Sequence, residues 1–256
     1  MIDYQVVRSA RRKTLSLQVK QGKVLVRAPY YVDKKIINAL VQEKSAWLKA
    51  KVIEQSQLNQ QCCGFNHGDK LLFLGQVVRL HISFASRAEI FLREYSSENL
   101  KLNSELKPAL KSELKQELNI VLAKRYATKL DDEQLLRMAV KKRLQDYFKQ
   151  QAQSIILSKV SHYSELTQLK PKGIKIRQYS ARWGSCNSNG EVSFNYLMMM
   201  LPDDVIDYIV VHELCHLRFL NHSADFWQLV AIHFPNYLQA KQWLKDNQSQ
   251  LLWRLP

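Results

Sequence analysis

Two histidines one helical turn apart, with a glutamate beside the first, carry the sharpest chemistry in this sequence: Val210-Val211-His212-Glu213-Leu214-Cys215-His216. Residues four apart share a helix face, so the imidazoles of His212 and His216 can grip one metal ion, which we read as zinc. Glu213 sits about 100° round the helix, near enough to take a proton from a water on that ion without displacing it. With 7 His and 12 Glu in 256 residues, chance yields only about 0.01 such H-E-x-x-H patterns, so a metal site outweighs two surface histidines.

A third ligand is expected, and His222 is the first choice. Six residues past His216 on a continuing helix would turn it by about 240°, away from the ion, so the helix must end between them. Asn221 is the residue expected to take a left-handed conformation there, and Ser223 to cap a following helix, Ala224 to Phe234. The total spacing equals that of the metzincin pattern H-E-x-x-H-x-x-G-x-x-H, but Phe219 stands in the glycine slot. Upstream, Arg182-Trp183-Gly184-Ser185-Cys186 ends a strand. Arg182 there could stabilise an anionic intermediate, bind a phosphate or form a structural ion pair.

The elements that must position these groups are legible in outline. The stretch Leu201 to His216 reads as a helix begun by Pro202 and a capping Asp203, buried through Val205, Ile206, Ile209 and Val210. Before it, Ile174 to Arg177 is a strand. Asn187-Ser188-Asn189-Gly190 carries an Asn-Gly turn, and Glu191 to Tyr196 alternates as a return strand whose edge could receive an extended peptide. Leu106 to Leu130 and Asp132 to Val160 show apolar residues at three-to-four spacing and read as two amphipathic helices. Nearer the start, Thr14 to Val19 and Val24 to Pro29 form a hairpin pattern, followed by a helix capped by Asp33. Leu71 to Ile82 looks like a second hairpin, with Ala88 to Leu102 adding a strand or two. The expectation is an α+β chain with a strand-rich N-terminal lobe, residues 1–103. Residues 104–256 follow as a helical lobe with a small antiparallel sheet.

Composition bounds the partners. Hydrophobic residues make up 46% and charged residues 24%, ordinary globular values that exclude wholesale disorder. No secretory leader pattern opens the chain, no apolar run reaches membrane-span length, and the four cysteines show no C-x-x-C. A cytoplasmic protein with free thiols and no membrane partner is therefore expected. Lys and Arg exceed Asp and Glu by 15, so an anionic partner or substrate must be considered.

Taken together, these segments resemble the YgjP-like metal-dependent hydrolases, relatives of SprT-like and WLM proteases. The resemblance rests on Arg8-Ser9-Ala10-Arg11-Arg12-Lys13-Thr14 with Val26-Arg27-Ala28-Pro29, on Arg182-Trp183-Gly184-Ser185-Cys186, on Val210 to Leu217, and on Asn221-His222-Ser223 with Phe226-Trp227. It implies a zincin-like catalytic lobe with His212, His216 and His222 as ligands of one zinc ion and Glu213 as base. Three functions compete. The first is a zinc metallopeptidase acting on a peptide or protein. The second is a phosphohydrolase using the same site on a nucleotide, such as a nucleoside triphosphate, which the charge and Arg182 favour. The third is a nucleic-acid-binding protein with a vestigial site, motivated by the basic residues 107–149. Their charges are interleaved with Gln and Glu rather than clustered with stacking aromatics, so nucleic acid is not favoured there.

Overall fold

The structure is a computed structural model that describes residues 3–20, 22–60, 64–94, 116–129, 132–179, 182–247 and 251. Two compact units divide the chain, one within residues 1–62 and the other within 63–251, rather than at the expected 103/104.

The first unit is a three-stranded sheet with two helices. Strands β1 (Tyr4–Arg8), β2 (Ser16–Lys20) and β3 (Lys23–Ala28) lie in the order β1-β3-β2. The hairpin β2–β3 is antiparallel as the alternation requires, whereas β1, which carries no alternating signal, pairs parallel to β3. Helix α1 (Lys34–Glu43) begins where expected, the Asp33 carboxylate accepting from the Lys35 N–H, and α2 (Ser45–Gln60) follows. Val24, Val26 and Ala28 face Ile37, Val41 and Leu48 to make the core.

In the second unit a mixed sheet runs β4-β5-β7-β6, with β4 (Lys70–Phe73), β5 (Gln76–Ala85), β6 (Glu89–Glu94) and β7 (Gln116–Ala123). Here the expected helix 106–130 is corrected. Gln116–Ala123 is a central strand, parallel to β5 and antiparallel to β6, followed by a 3-10 turn over Lys124–Lys129. Leu118, Ile120 and Leu122 are buried on one face and Asn119 and Val121 on the other. A strand buried on both faces loses its alternation and imitates a helix segment. Residues 95–115 lie outside the described residues.

Helix α3 (Glu133–Thr167) is longer than expected and is capped by Asp132, whose carboxylate accepts from the Leu135 N–H. Every fourth residue from Val140 to Ser164 is buried, a continuous ridge of the kind that interlocks with neighbouring elements. A second, three-stranded sheet has the order β8-β10-β9, from β8 (Gly173–Arg177), β9 (Gly184–Cys186) and β10 (Glu191–Asn195). It is mixed rather than antiparallel, because β10 pairs parallel with β8. β10 is therefore the middle strand and offers no edge; β9 does.

The 3-10 segment Tyr196–Met200 is wholly buried and delivers the chain to α4 (Asp203–Cys215), followed by α5 (Ala224–His233) and α6 (Tyr237–Asn247). Pro202, not Asp203, occupies the cap position of α4, with no side-chain capping bond. Asp203 instead joins Asp207 in holding Lys159 of α3, at 2.8 and 2.7 Å. The β4–β5 turn fixes the other side of this junction. Leu74 N–H donates to Met199 O, and a Cβ on Gly75 would sit 2.8 Å from Pro202, so only glycine fits. No helix among the described residues is long and apolar enough to cross a membrane.

Candidate metal centre and active site

Helix α4 carries His212 and Glu213, and His216 is its C-terminal cap residue. Beyond it the chain turns through Leu217 to Phe219, whose N–H groups close onto Leu214 and Cys215 carbonyls, and this ends the helix before His222 as the spacing demands. The expected left-handed Asn221 is absent, because its φ is not positive. Asn221 instead accepts from the Ser223 N–H through its side chain, and Ser223 accepts from the Phe226 N–H as the cap of α5. An Asx turn and a hydroxyl cap thus do what one strained residue was expected to do.

The result brings the three expected histidines together. His212, His216 and His222 each offer a ring nitrogen within 4.8 Å of the others. His216 Nδ1 lies 2.8 Å from Phe219 O; a carbonyl only accepts, so Nδ1 holds the proton and Nε2 keeps its lone pair free. The Nε2 atoms of His212 and His222 face each other at 3.1 Å. Two nitrogens bound at about 2.0–2.1 Å to one tetrahedral ion lie roughly 3.3 Å apart, so the pocket between them fits a zinc-sized cation. His67, His81, His162 and His233 lie outside this cluster.

Aromatic rings wall the cluster. His216 stacks on Phe226 with centroids 4.5 Å apart, and His222 stacks on Trp227, which in turn stacks on Tyr237. The Tyr208 hydroxyl lies 3.5 Å from Nδ1 of His212, a long contact. Burial, reinforced by the nearby His216, His222 and Lys241, pushes His212 down to about 3, and burial lowers His216 as well. Both stay in the neutral form that binds metal.

Glu213 is 5% exposed and its Oε2 is buried with no hydrogen-bond partner among the described residues. Burial pushes its carboxyl up to about 8, with the positive charge of Arg182 opposing. The side chain lies against β9: a Cβ on Gly184 would meet Glu213 Cγ at 2.5 Å and Oε1 at 2.6 Å, so Gly184 is the residue that makes room for the carboxylate. Together these groups line a cleft of about 390 Å³, with Arg182, Trp183 and Cys186 on one wall and Tyr208, Glu213 and the histidines on the other.

Several supporting residues were not foreseen. Asn195 donates from Nδ2 to the Tyr179 and Arg182 carbonyls, and its N–H to Trp183 O, pinning the segment that carries Arg182. Arg182 lies over the Tyr179 ring at 5.3 Å and has no described carboxylate partner, so the structural ion pair weighed for it is not seen among the described residues. Burial and the charge of Glu213 raise the Cys186 thiol.

The model of one protein family, the YgjP-like metallopeptidase domain, matches residues 13–132 and 122–247. The chain belongs to the YgjP-like family. Membership makes it a metal-dependent hydrolase, and three histidines lie close enough together that they could hold an ion. Among solved structures, the crystal structure of the metallopeptidase zymogen of Pyrococcus abyssi abylysin is similar at 20% identity and a TM-score of 0.33, over 36% of this chain and 95% of that one. A search of curated proteins gave no match.

Proposed function

We propose that this YgjP-like chain is a zinc-dependent metallopeptidase in which His212, His216 and His222 hold one ion and Glu213 is the general base, on a zincin-like lobe. The observation that carries the reading is the pairing of three mutually facing imidazoles with a buried, unpartnered carboxylate oxygen in one cleft. A bound zinc ion would supply Lewis acidity, polarising the scissile carbonyl and making water a better acid. Glu213 takes the proton from the attacking water and passes it to the leaving amine. Burial raises the metal-free carboxyl to about 8, and a cation held by the three histidines would favour the ionised carboxylate that accepts the proton, leaving a carboxyl able to give that proton back. Arg182, at the cleft wall, faces the negative charge that develops on the carbonyl oxygen. Strand β9 pairs only with β10 among the described residues, and its other edge borders the cleft beside Glu213, where an extended peptide could add as a further strand.

A second reading keeps the site and changes the bond to a phosphoanhydride; Arg182 in the cleft favours it, since a guanidinium matches a phosphate as well as an oxyanion. One experiment separates the two. Zinc-loaded protein and Glu213→Gln are assayed on an unstructured fluorogenic peptide and on nucleoside triphosphates. Peptide cleavage abolished by the substitution supports the metallopeptidase. Phosphate or pyrophosphate release abolished by it, without peptide cleavage, replaces that reading with the second.

A further inference from the structure

Just over half of the chain's surplus charge falls in the N-terminal unit. Residues 1–62 hold 12 Lys and Arg against 4 Asp and Glu, a net +8 of the chain's +15 in a quarter of its length. Within this unit the fold gathers the charge at one end. Because β1 and β3 run parallel with Arg8 opposite Ala28, the segments that leave them, residues 9–15 and 29–33, emerge side by side. Ser9 N–H donates to Ala28 O. The Arg8 guanidinium donates to the carbonyls of Pro29, Tyr30 and Val32 at 2.8–3.1 Å, and the Tyr31 hydroxyl donates to Lys13 O. The two segments are thereby stitched into one preset surface.

That surface presents Tyr30 and Tyr31, 65% and 78% exposed, amid Arg11, Lys13, Lys34 and Lys35, with Asp33 as the single acid in the two segments. Neighbouring tyrosines left this open contribute nothing to the core, whose members are Val24, Val26, Ala28, Ile37, Val41 and Leu48. Exposed aromatic faces among cations suit a single strand of nucleic acid: unpaired bases stack on the rings while phosphates meet Lys and Arg. A duplex hides its base faces and could use only the charges.

We infer that the Tyr30–Tyr31 face of the N-terminal unit binds single-stranded nucleic acid. The inference is independent of the metal centre and of its substrate.

Fluorescence anisotropy with the full chain, zinc-loaded, and labelled 12-nucleotide uridylate or thymidylate tests it. RNA and DNA share the phosphodiester and the stacking base, and the two oligomers show which sugar is preferred. Expected is binding at 50 mM salt that weakens roughly 20-fold or more at 200 mM, as release of counterions from three or four phosphates requires. The double substitution Arg11→Glu with Lys13→Glu should weaken binding at least about tenfold. Tyr30→Ser and Tyr31→Ser should each weaken it about five- to tenfold while Tyr30→Phe retains it, since a base stacks on the ring and not on the hydroxyl. Circular dichroism confirms that each variant is folded, and Lys245→Glu in α6 of the second unit serves as the charge control. No binding at 50 mM salt overturns the inference. So does an equal loss in Lys245→Glu, indifference to both tyrosine-to-serine changes, or equal competition by a duplex of the same length or by anionic lipid vesicles.

Discussion

The two halves of the proposed metal centre are built in opposite ways. His212, Glu213 and His216 come from one helix whose neighbours are almost all buried, and the Nδ1 of His216 is tied to the backbone at Phe219. His222 comes from an exposed connection between helices and is held by ring stacking on Trp227 rather than by a described hydrogen bond to the backbone. The helix half is set by the same packing that makes the core, so it cannot be altered without disturbing that core. The loop half is set by an aromatic stack that can be loosened by itself. In the proposed ligand set, two donors are fixed by the core and one is adjustable.

The contrast can be broken at several points. The largest effect is expected at the fixed half. Glu213→Gln should lower turnover by about 10²–10⁴-fold, the usual contribution of a general base, with metal content unchanged by elemental analysis. His216→Ala should weaken zinc binding by about 10²-fold or more. It should also destabilise the metal-free protein by about 1–3 kcal/mol in urea unfolding, because it empties a buried site against Phe226. His222→Ala should weaken zinc binding too, yet leave the metal-free protein within about 0.5 kcal/mol, as for other exposed positions. Equal destabilisation by both alanines would erase the distinction between the halves.

Gly184→Ala tests how closely the fixed half is fitted. The added methyl meets Glu213 at 2.5–2.7 Å, so turnover should fall by up to about 10²-fold through misplacement of the carboxylate, while zinc is retained. Trp227→Leu tests the adjustable half and should cost about tenfold in zinc affinity, as loss of a ligand's supporting neighbour does. Titration of the metal with a chelating competitor reads both.

The smallest effect is a pH dependence. Folded Glu213 has its carboxyl raised from 4.5 to about 8, so the stability associated with its neutral form is fully present below pH 4.5 and is lost as pH rises through about 8. His212 is lowered from 6.5 to about 3, so its contribution is fully present above pH 6.5 and is lost as pH falls toward 3. The metal-free protein should accordingly gain more stability from Glu213→Gln at pH 8 than at pH 5.5, by on the order of 1–3 kcal/mol. An identical gain at both pH values would show that Glu213 is not held neutral by burial.

How much of this was legible in the sequence follows from where each signal resides. The helix α4 and its donors were readable because the i, i+4 relation is local, and so was the Ser223 cap, a side chain bonding three residues ahead. His222 was reachable by exclusion, since a continuing helix would have carried it away. What failed was whatever depends on distant packing. β7 carries a helix-like pattern because it is covered on both faces, and β1, exposed along Gln5 to Val7, shows no alternation to read. Asn195 looked like an ordinary polar position in a strand, yet it pins the Arg182 segment through bonds spanning 13 and 16 residues. The clustering of charge beside Tyr30 and Tyr31 depends on a parallel pairing that no short-range pattern announces.

X-ray absorption at the zinc edge of the loaded protein tests the central claim most directly. Three imidazole ligands predict a first shell of nitrogen and oxygen at about 2.0–2.1 Å with imidazole outer-shell scattering and one ion per chain. His222→Ala should reduce the imidazole scattering by about one-third. A sulfur scatterer near 2.3 Å, which would bring in Cys186, or a shell unchanged by His222→Ala, would contradict the three-histidine centre.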